Sequence, residues 1–102
     1  MQIQANRKGA ALVIRLIGEL DHHSAKEATT ELDRYIEQTD CNEVCFNLKG
    51  LTMMDSSGIG VLLGRYKKLT AKGMKASLSQ PNRTIDRVLQ LSGLYQIMRK
   101  VG

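Results

Sequence analysis

The segment MMDSSGIG, residues 53–60, places an aspartate and two adjacent serines directly before a helical pattern. Apolar residues then recur at helical spacing, which predicts a helix that begins near Ser57 and stops at Gly73. Asp55 or either serine could cap that helix, a contact worth about 1 kcal/mol. Because a cap needs only one polar residue, three in succession suggest further roles: a nucleophile, a phosphate-binding turn or a serine that accepts a phosphate.

The first two of these roles find little support in the sequence. The G-x-S-x-G pattern of serine hydrolases is absent, and the two histidines, His22 and His23, lie far from the serines in the chain. No Gly-Lys-Ser/Thr follows the glycine, so a P-loop is also absent. A phosphate-accepting serine is physically plausible, because the free amides and the positive dipole end of a helix N-terminus stabilise an attached phosphate.

Outward from this segment, strands alternate with helices. The predicted elements are strands at 2–5 and 11–18, a helix that begins at Ser24 and ends by Asp40, a strand at 43–48, the helix that begins near Ser57, a strand at 74–79, a helix with Pro81 in its first turn and Gly93 as its stop, and a strand within 94–101. The order ββαβαβαβ predicts an α/β fold with a mixed sheet and helices mainly on one face.

Three local patterns add detail to this architecture. Ser24 and Glu27 have the spacing of a capping box at the start of the first helix. Gly60 and Gly64 lie four residues apart, which would let the second helix approach the sheet closely. Asp21 precedes the first helix, and a parallel arrangement of the strands would bring it to the same edge of the sheet as MDSSG.

Composition restricts the class of protein. At 102 residues, with 42% hydrophobic and 25% charged residues, the sequence predicts one soluble globular domain over 1–102. No apolar run is long enough to span a membrane and the N-terminus lacks the apolar core of a signal peptide, so we expect a cytoplasmic protein. Cys41 and Cys45 suit that reducing compartment as free thiols, and neither they nor His22-His23 complete the ligand set of a metal.

The net charge of +5 is unevenly distributed. Residues 19–43 hold eight of the ten acids, whereas nine bases and a single acid lie from Arg65 onward. A basic half could suit nucleic acid, but the three tyrosines and one phenylalanine do not alternate with the bases. We therefore predict no direct contact with nucleic acid.

Three stretches together resemble one protein family: GELDHHSA at 18–25, LKGLTMMDSSGIGVLLGRYK at 48–67 and SGLYQIM at 92–98. Their spacing over almost the whole chain is similar to that of STAS-domain proteins and, within that family, of the antagonists of sporulation anti-sigma factors. The resemblance implies a STAS fold, in agreement with the predicted order of elements. Members commonly carry another helix after the last strand, and this sequence ends at Gly102 without one.

The resemblance also implies roles for residues beside the second helix. Ser56 would be the phosphorylated serine, although physical reasoning alone does not choose between it and Ser57. Asp21 would contact a basic residue of the partner, and Gly58 and Ile59 would form part of an apolar contact beside the acceptor. The implied partner-binding set is Asp21, Asp55, Ser56, Ser57, Gly58 and Ile59.

In such a system the partner is an anti-sigma factor that is also a serine kinase. The resemblance implies that the unphosphorylated chain binds this kinase and releases a sporulation sigma factor, that phosphorylation weakens binding, and that a PP2C-type phosphatase reverses the modification. ATP would be bound by the kinase, so no cofactor and no catalytic residue is expected here. The alternatives are a stress-response STAS antagonist of another sigma factor and, in a different class, a small serine-dependent hydrolase.

Overall fold

The fold is a six-stranded mixed sheet with three helices packed on it. The computed structural model describes residues Met1–Gly102. The strands are β1 (Gln2–Lys8), β2 (Ala11–Leu20), β3 (Glu43–Asn47), β4 (Leu51–Met54), β5 (Lys75–Ser79) and β6 (Arg99–Val101), and the helices are α1 (Ala25–Gln38), α2 (Ser56–Ala71) and α3 (Arg83–Leu91). No helix combines the length and the apolar character that crossing a membrane requires.

The strands lie in the order β1-β2-β3-β5-β6, and β4 pairs with β2 beyond the end of β3. Only the β1–β2 hairpin is antiparallel; every other pair is parallel. The mixed sheet is confirmed, with one strand more than the sequence predicted. β4 escaped prediction because its residues LTMM are buried only at the two ends and so lack the alternation that marks a strand.

The hydrophobic core lies on one face of the sheet. Along β2, Leu12, Ile14 and Leu16 are buried, whereas the alternate residues are more accessible. Phe46 of β3 stands opposite Ile14 in the parallel register and is also fully buried. These side chains form one cluster with the apolar residues of the helices, among them Ala28, Leu32, Ile36, Leu62, Leu69, Ile85 and Leu89. The prediction of helices mainly on one face is therefore confirmed.

Several element boundaries differ from the predicted ones, and two of these differences have a visible physical cause. β1 continues to Lys8, because its last residues pair with the start of β2 and the hairpin turns at Gly9, whose φ of 63° suits glycine. Pro81 lies outside α3, so its predicted place in the first turn is wrong. The cap is Asn82, whose side chain accepts a hydrogen bond from the amide of Ile85 at 2.8 Å.

Ion pairs join α1 to α2. Arg65 Nε lies 3.0 Å from Asp33 Oδ1 without the alignment of a hydrogen bond, and only 13% of the arginine side chain is exposed. Lys68 of the next turn bonds Glu37 at 3.0 Å. The Arg65 pair is partly buried, so solvent screens the attraction between its two charges less than it would at the surface.

α3 is tied to the end of the chain through Asp86. The Tyr95 hydroxyl donates to the Asp86 carboxylate, and Lys100 Nζ lies 2.9 Å from the same oxygen. The hydrogen bond from Tyr95, together with that from Lys100, lowers the pKa of Asp86. Burial, helped by the bond to Asp86, raises the pKa of Tyr95. These contacts hold α3 against the 3₁₀ turn at Leu94–Gln96 and β6.

We expect Tyr95→Phe to lower the midpoint of thermal unfolding by a few degrees at neutral pH. A carboxyl with a lowered pKa stabilises the fold above its ordinary value, here 3.8, and loses that stabilisation as the pH falls through its folded-state pKa. The difference from the wild-type chain should therefore shrink in thermal melts below pH 3.8. Tyr35→Phe is the matched control, because the Tyr35 hydroxyl makes no hydrogen bond. An equal difference at every pH would contradict the assignment.

Candidate functional site

The site lies at the edge where two neighbouring parallel strands end. β2 and β4 pair in a register that sets Leu20 opposite Met54. The next residues are Asp21 and Asp55, and the chains that follow lead into α1 and α2 respectively. Both helix starts therefore lie at one edge of the sheet, as the sequence predicted.

Asp55 is the cap of α2. Its Oδ1 accepts hydrogen bonds from the amides of Ser57, at 2.9 Å, and Gly58, at 3.2 Å. The backbone at Asp55 is extended and the helix begins at the next residue. Of the three candidate caps in MDSSG, the aspartate thus satisfies the free amides, and neither serine is used for that purpose.

The two serines differ in accessibility. Ser56, the first residue of α2, is exposed and its hydroxyl makes no hydrogen bond within the chain, whereas Ser57 is half-buried. A group attached to the Ser56 oxygen would face solvent at the amide end of a helix, where negative charge is stabilised. The structure therefore distinguishes the two serines by their accessibility, which the sequence did not.

Gly58 is buried in the first turn of α2, where the helix touches the end of β2. A β-carbon on it would come within 2.5 Å of the Leu20 carbonyl oxygen and 2.7 Å of Met54 Cγ. The predicted close approach at Gly60 and Gly64 is wrong, because a β-carbon at either position would meet nothing within 4 Å. Gly58 thus has a packing role inside the chain, and its predicted contact with a partner is untested.

An apolar groove adjoins Ser56. Ile59, half-buried in α2, lies on one side of it, and α3 supplies Val88 and Leu91 on the other. Leu91 is 79% exposed, the largest exposure among the large hydrophobic side chains that reach the surface. Sequence reasoning missed this wall of the groove, because periodicity within α3 gives no sign that this helix lies beside the start of α2.

The loop that carries Asp21 is held by its own hydrogen bonds. Asp21 Oδ1 accepts from the amides of His23, at 3.0 Å, and Ser24, at 3.1 Å. The bond from the Ser24 amide is the main reason that the pKa of Asp21 is lowered, so this half-exposed residue presents a negative charge at neutral pH.

The predicted capping box is wrong. The hydroxyl of Ser24 forms no cap with α1, because it donates instead to the Glu19 carbonyl oxygen at 2.8 Å.

His22 connects this loop to α2 through its backbone. Its amide donates to Asp55 Oδ2 at 3.2 Å, although 33 residues separate the two in sequence. The imidazoles of His22 and His23 stack on each other with ring centres 4.4 Å apart, and no hydrogen bond joins either ring to Ser56. No group of three or more His, Cys, Asp or Glu side chains could hold a metal ion.

The edge of the sheet therefore presents an exposed serine at a helix N-terminus, a carboxylate in a structured loop and an apolar groove. The sequence model of the STAS domain matches residues 2–101. This chain belongs to the STAS-domain family.

The proteins similar to this chain indicate which branch of the family it resembles. The chain is 40% identical over 98 residues to the anti-sigma F factor antagonist of Paenibacillus polymyxa, with 96% of this chain and 84% of the relative covered. The chain is 29% identical over 85 residues to the anti-sigma-B factor antagonist of Bacillus subtilis, with 83% of this chain and 76% of the relative covered.

Among solved structures, the chain matches the anti-sigma factor antagonist SpoIIAA of Bacillus in two forms, each with 34% identity and 99% of this chain covered. The unphosphorylated form gives a TM-score of 0.80 with 89% of SpoIIAA covered. The phosphorylated form gives a TM-score of 0.72 with 92% covered. These relatives are anti-sigma factor antagonists, and one of them, SpoIIAA, has been solved in both the unphosphorylated and the phosphorylated form.

The packing at Gly58 can be tested by substitution. We expect Gly58→Ala to lower the free energy of unfolding by about 2 kcal/mol, because the added methyl group has no space beside the Leu20 carbonyl. Gly60→Ala is the matched control in the same helix and should raise stability by about 0.5 to 1 kcal/mol through helix propensity alone. Urea unfolding of both variants measures the difference. Equal effects of the two substitutions would show that α2 does not rest on β2 at Gly58.

Proposed function

We propose that this chain is an anti-sigma F factor antagonist that works in the cytoplasm by switching partners. The unphosphorylated form binds an anti-sigma factor that is also a serine kinase, and this binding releases a sporulation sigma factor. The kinase then phosphorylates Ser56, and the product binds weakly. A PP2C-type phosphatase restores the unphosphorylated form. The chain itself catalyses none of these steps.

The observation that carries this proposal is the state of Ser56. Its hydroxyl is exposed, free of internal hydrogen bonds and located at the N-terminus of a helix that Asp55 already caps. A kinase can therefore reach the oxygen without unfolding any part of the chain. The identity to anti-sigma F factor antagonists supports the same assignment and favours that branch over the stress-response one.

Phosphorylation at this position would change the surface and leave the fold in place. The new phosphate would carry a charge of about −1.5 to −2 near the positive end of the α2 dipole, which favours it. It would also lie next to Asp55 and beside the groove that contains Ile59. A partner that packs into this groove would have to desolvate the phosphate, so repulsion and steric exclusion weaken binding.

The other site residues have separate roles in the proposed complex. Asp21 offers a carboxylate that stays ionised, which suits contact with a basic residue of the kinase. Ile59 offers apolar area at the wall of the groove. Asp55 and Gly58 shape the start of α2 from within, through the cap and the close packing on β2. ATP is bound by the kinase, and this chain needs no cofactor.

A phosphotransfer assay tests the proposal directly. With an anti-sigma F kinase and ATP, we expect one phosphate on Ser56, located by peptide mass spectrometry, and at least about a tenfold loss of affinity for the kinase after modification. Ser56→Ala should accept no phosphate. Ser57→Ala is the matched control one residue away and should still be modified.

Three outcomes would contradict the proposal. A folded chain that neither binds the kinase nor is modified would leave MDSSG as an ordinary helix start. Modification only by the kinase of a stress-response sigma factor would assign the chain to that branch. Turnover of an ester without any partner, abolished in Ser56→Ala, would indicate a serine-dependent hydrolase.

A further inference from the structure

The carboxylate of Asp55 bonds two separate segments of the chain. Oδ1 accepts from the amides of Ser57 and Gly58 in α2, whereas Oδ2 accepts from the amide of His22, one residue after Asp21. A cap requires only the first of these contacts. The bond to His22 is therefore additional to capping and calls for a separate explanation.

We infer that Asp55 is a positioning residue, which fixes the Asp21 carboxylate relative to the Ser56 hydroxyl so that one partner engages both. The inference rests on the proposed function, because it concerns how the anti-sigma kinase would bind this surface. Asp55 itself need not touch the kinase in this role.

The geometry gives Asp55 this role because the other hydrogen bonds of the Asp21 loop lie within the loop or run to β2, and none of them reaches α2. The amides of His23 and Ser24 both bond Asp21 Oδ1, and the Ser24 hydroxyl bonds the Glu19 carbonyl. These contacts set the shape of the loop without relating it to α2. The bond from the His22 amide, at 3.2 Å, has a carboxylate as its acceptor and connects the loop to the residue that caps α2.

The sheet alone does not supply that relation. The β2–β4 ladder ends at the pair Leu20 and Met54, so Asp21 lies beyond the last paired residue. One further backbone bond, from the Asp55 amide to the Leu20 carbonyl at 3.3 Å, joins the ends of the two strands but does not reach the loop residues that follow Leu20. Past this point, the hydrogen bond from the His22 amide is the one that joins the loop to α2.

Asp55→Asn separates capping from positioning. Asparagine is as good a cap as aspartate, and its single carbonyl oxygen can serve the amides of Ser57 and Gly58. The NH₂ group then faces the His22 amide, and two donors cannot bond each other. The substitution therefore keeps the helix start and breaks the connection to the Asp21 loop. Asp40→Asn is the control for loss of a carboxylate, since Asp40 is exposed and lies before β3, at the other end of the sheet.

The test is a double-mutant cycle on binding to an anti-sigma F kinase, with Asp21→Ala as the second change. In the wild-type chain we expect Asp21→Ala to weaken binding about tenfold, and in Asp55→Asn by less than about threefold, because the carboxylate is no longer held in place. Asp55→Asn alone should weaken binding by a similar factor, and Asp40→Asn should not.

Amide hydrogen exchange by NMR provides a readout that needs no partner. In Asp55→Asn we expect the His22 amide to exchange faster while the Ser57 and Gly58 amides stay protected.

Additive effects of the two substitutions, or an unchanged His22 amide in a folded Asp55→Asn chain, would overturn the inference. A wild-type chain that does not bind the kinase at all would instead show that the proposed function has failed, and the inference with it.

Discussion

The contact between Gly58 and the carbonyl end of β2 is the constraint on which the site depends. Because this residue lacks a β-carbon, the first turn of α2 can rest directly on Leu20. That closeness puts Asp55 within reach of the His22 amide as well as the amides of its own helix. Because α2 begins at this distance from the sheet, Ser56 lies beside both the Asp21 loop and the apolar groove. A larger side chain at this position would separate them.

Much of the fold was predictable because its signals are local. Alternation of apolar residues in β2 and the helical spacing in α1 and α2 reflect a core on one face of the sheet, and each pattern is complete within its own segment. β4 was missed because only its first and last residues are buried, which leaves no alternating pattern in the sequence. Pro81 was wrongly predicted to lie in the first turn of α3, because a proline just before a helix gives the same sequence pattern as one in its first turn. The cap at Asn82 shows that Pro81 precedes the helix.

The position of the candidate site was predictable from the sequence, whereas its hydrogen bonds were not. The family resemblance singled out Asp21 and Ser56, and the parallel β2–β4 pairing places both at one edge of the sheet. The partners of Ser24 and Asp55 could not be foreseen, since the Glu19 carbonyl and the His22 amide are backbone groups whose positions depend on tertiary structure. The side of the groove that Leu91 forms could not be predicted for the same reason, because no local sequence pattern indicates which helix lies beside another.

The free hydroxyl of Ser56 has a consequence for how long each form of the chain would persist in a cell. Since no internal bond uses that oxygen, modifying it removes no contact from the folded state, and the α2 dipole would favour the added charge. The phosphorylated form would therefore open no more often than the unmodified one, so proteolysis of opened chains would not remove it selectively. Loss of the phosphorylated form would then depend on removal of the phosphate rather than on degradation of the chain.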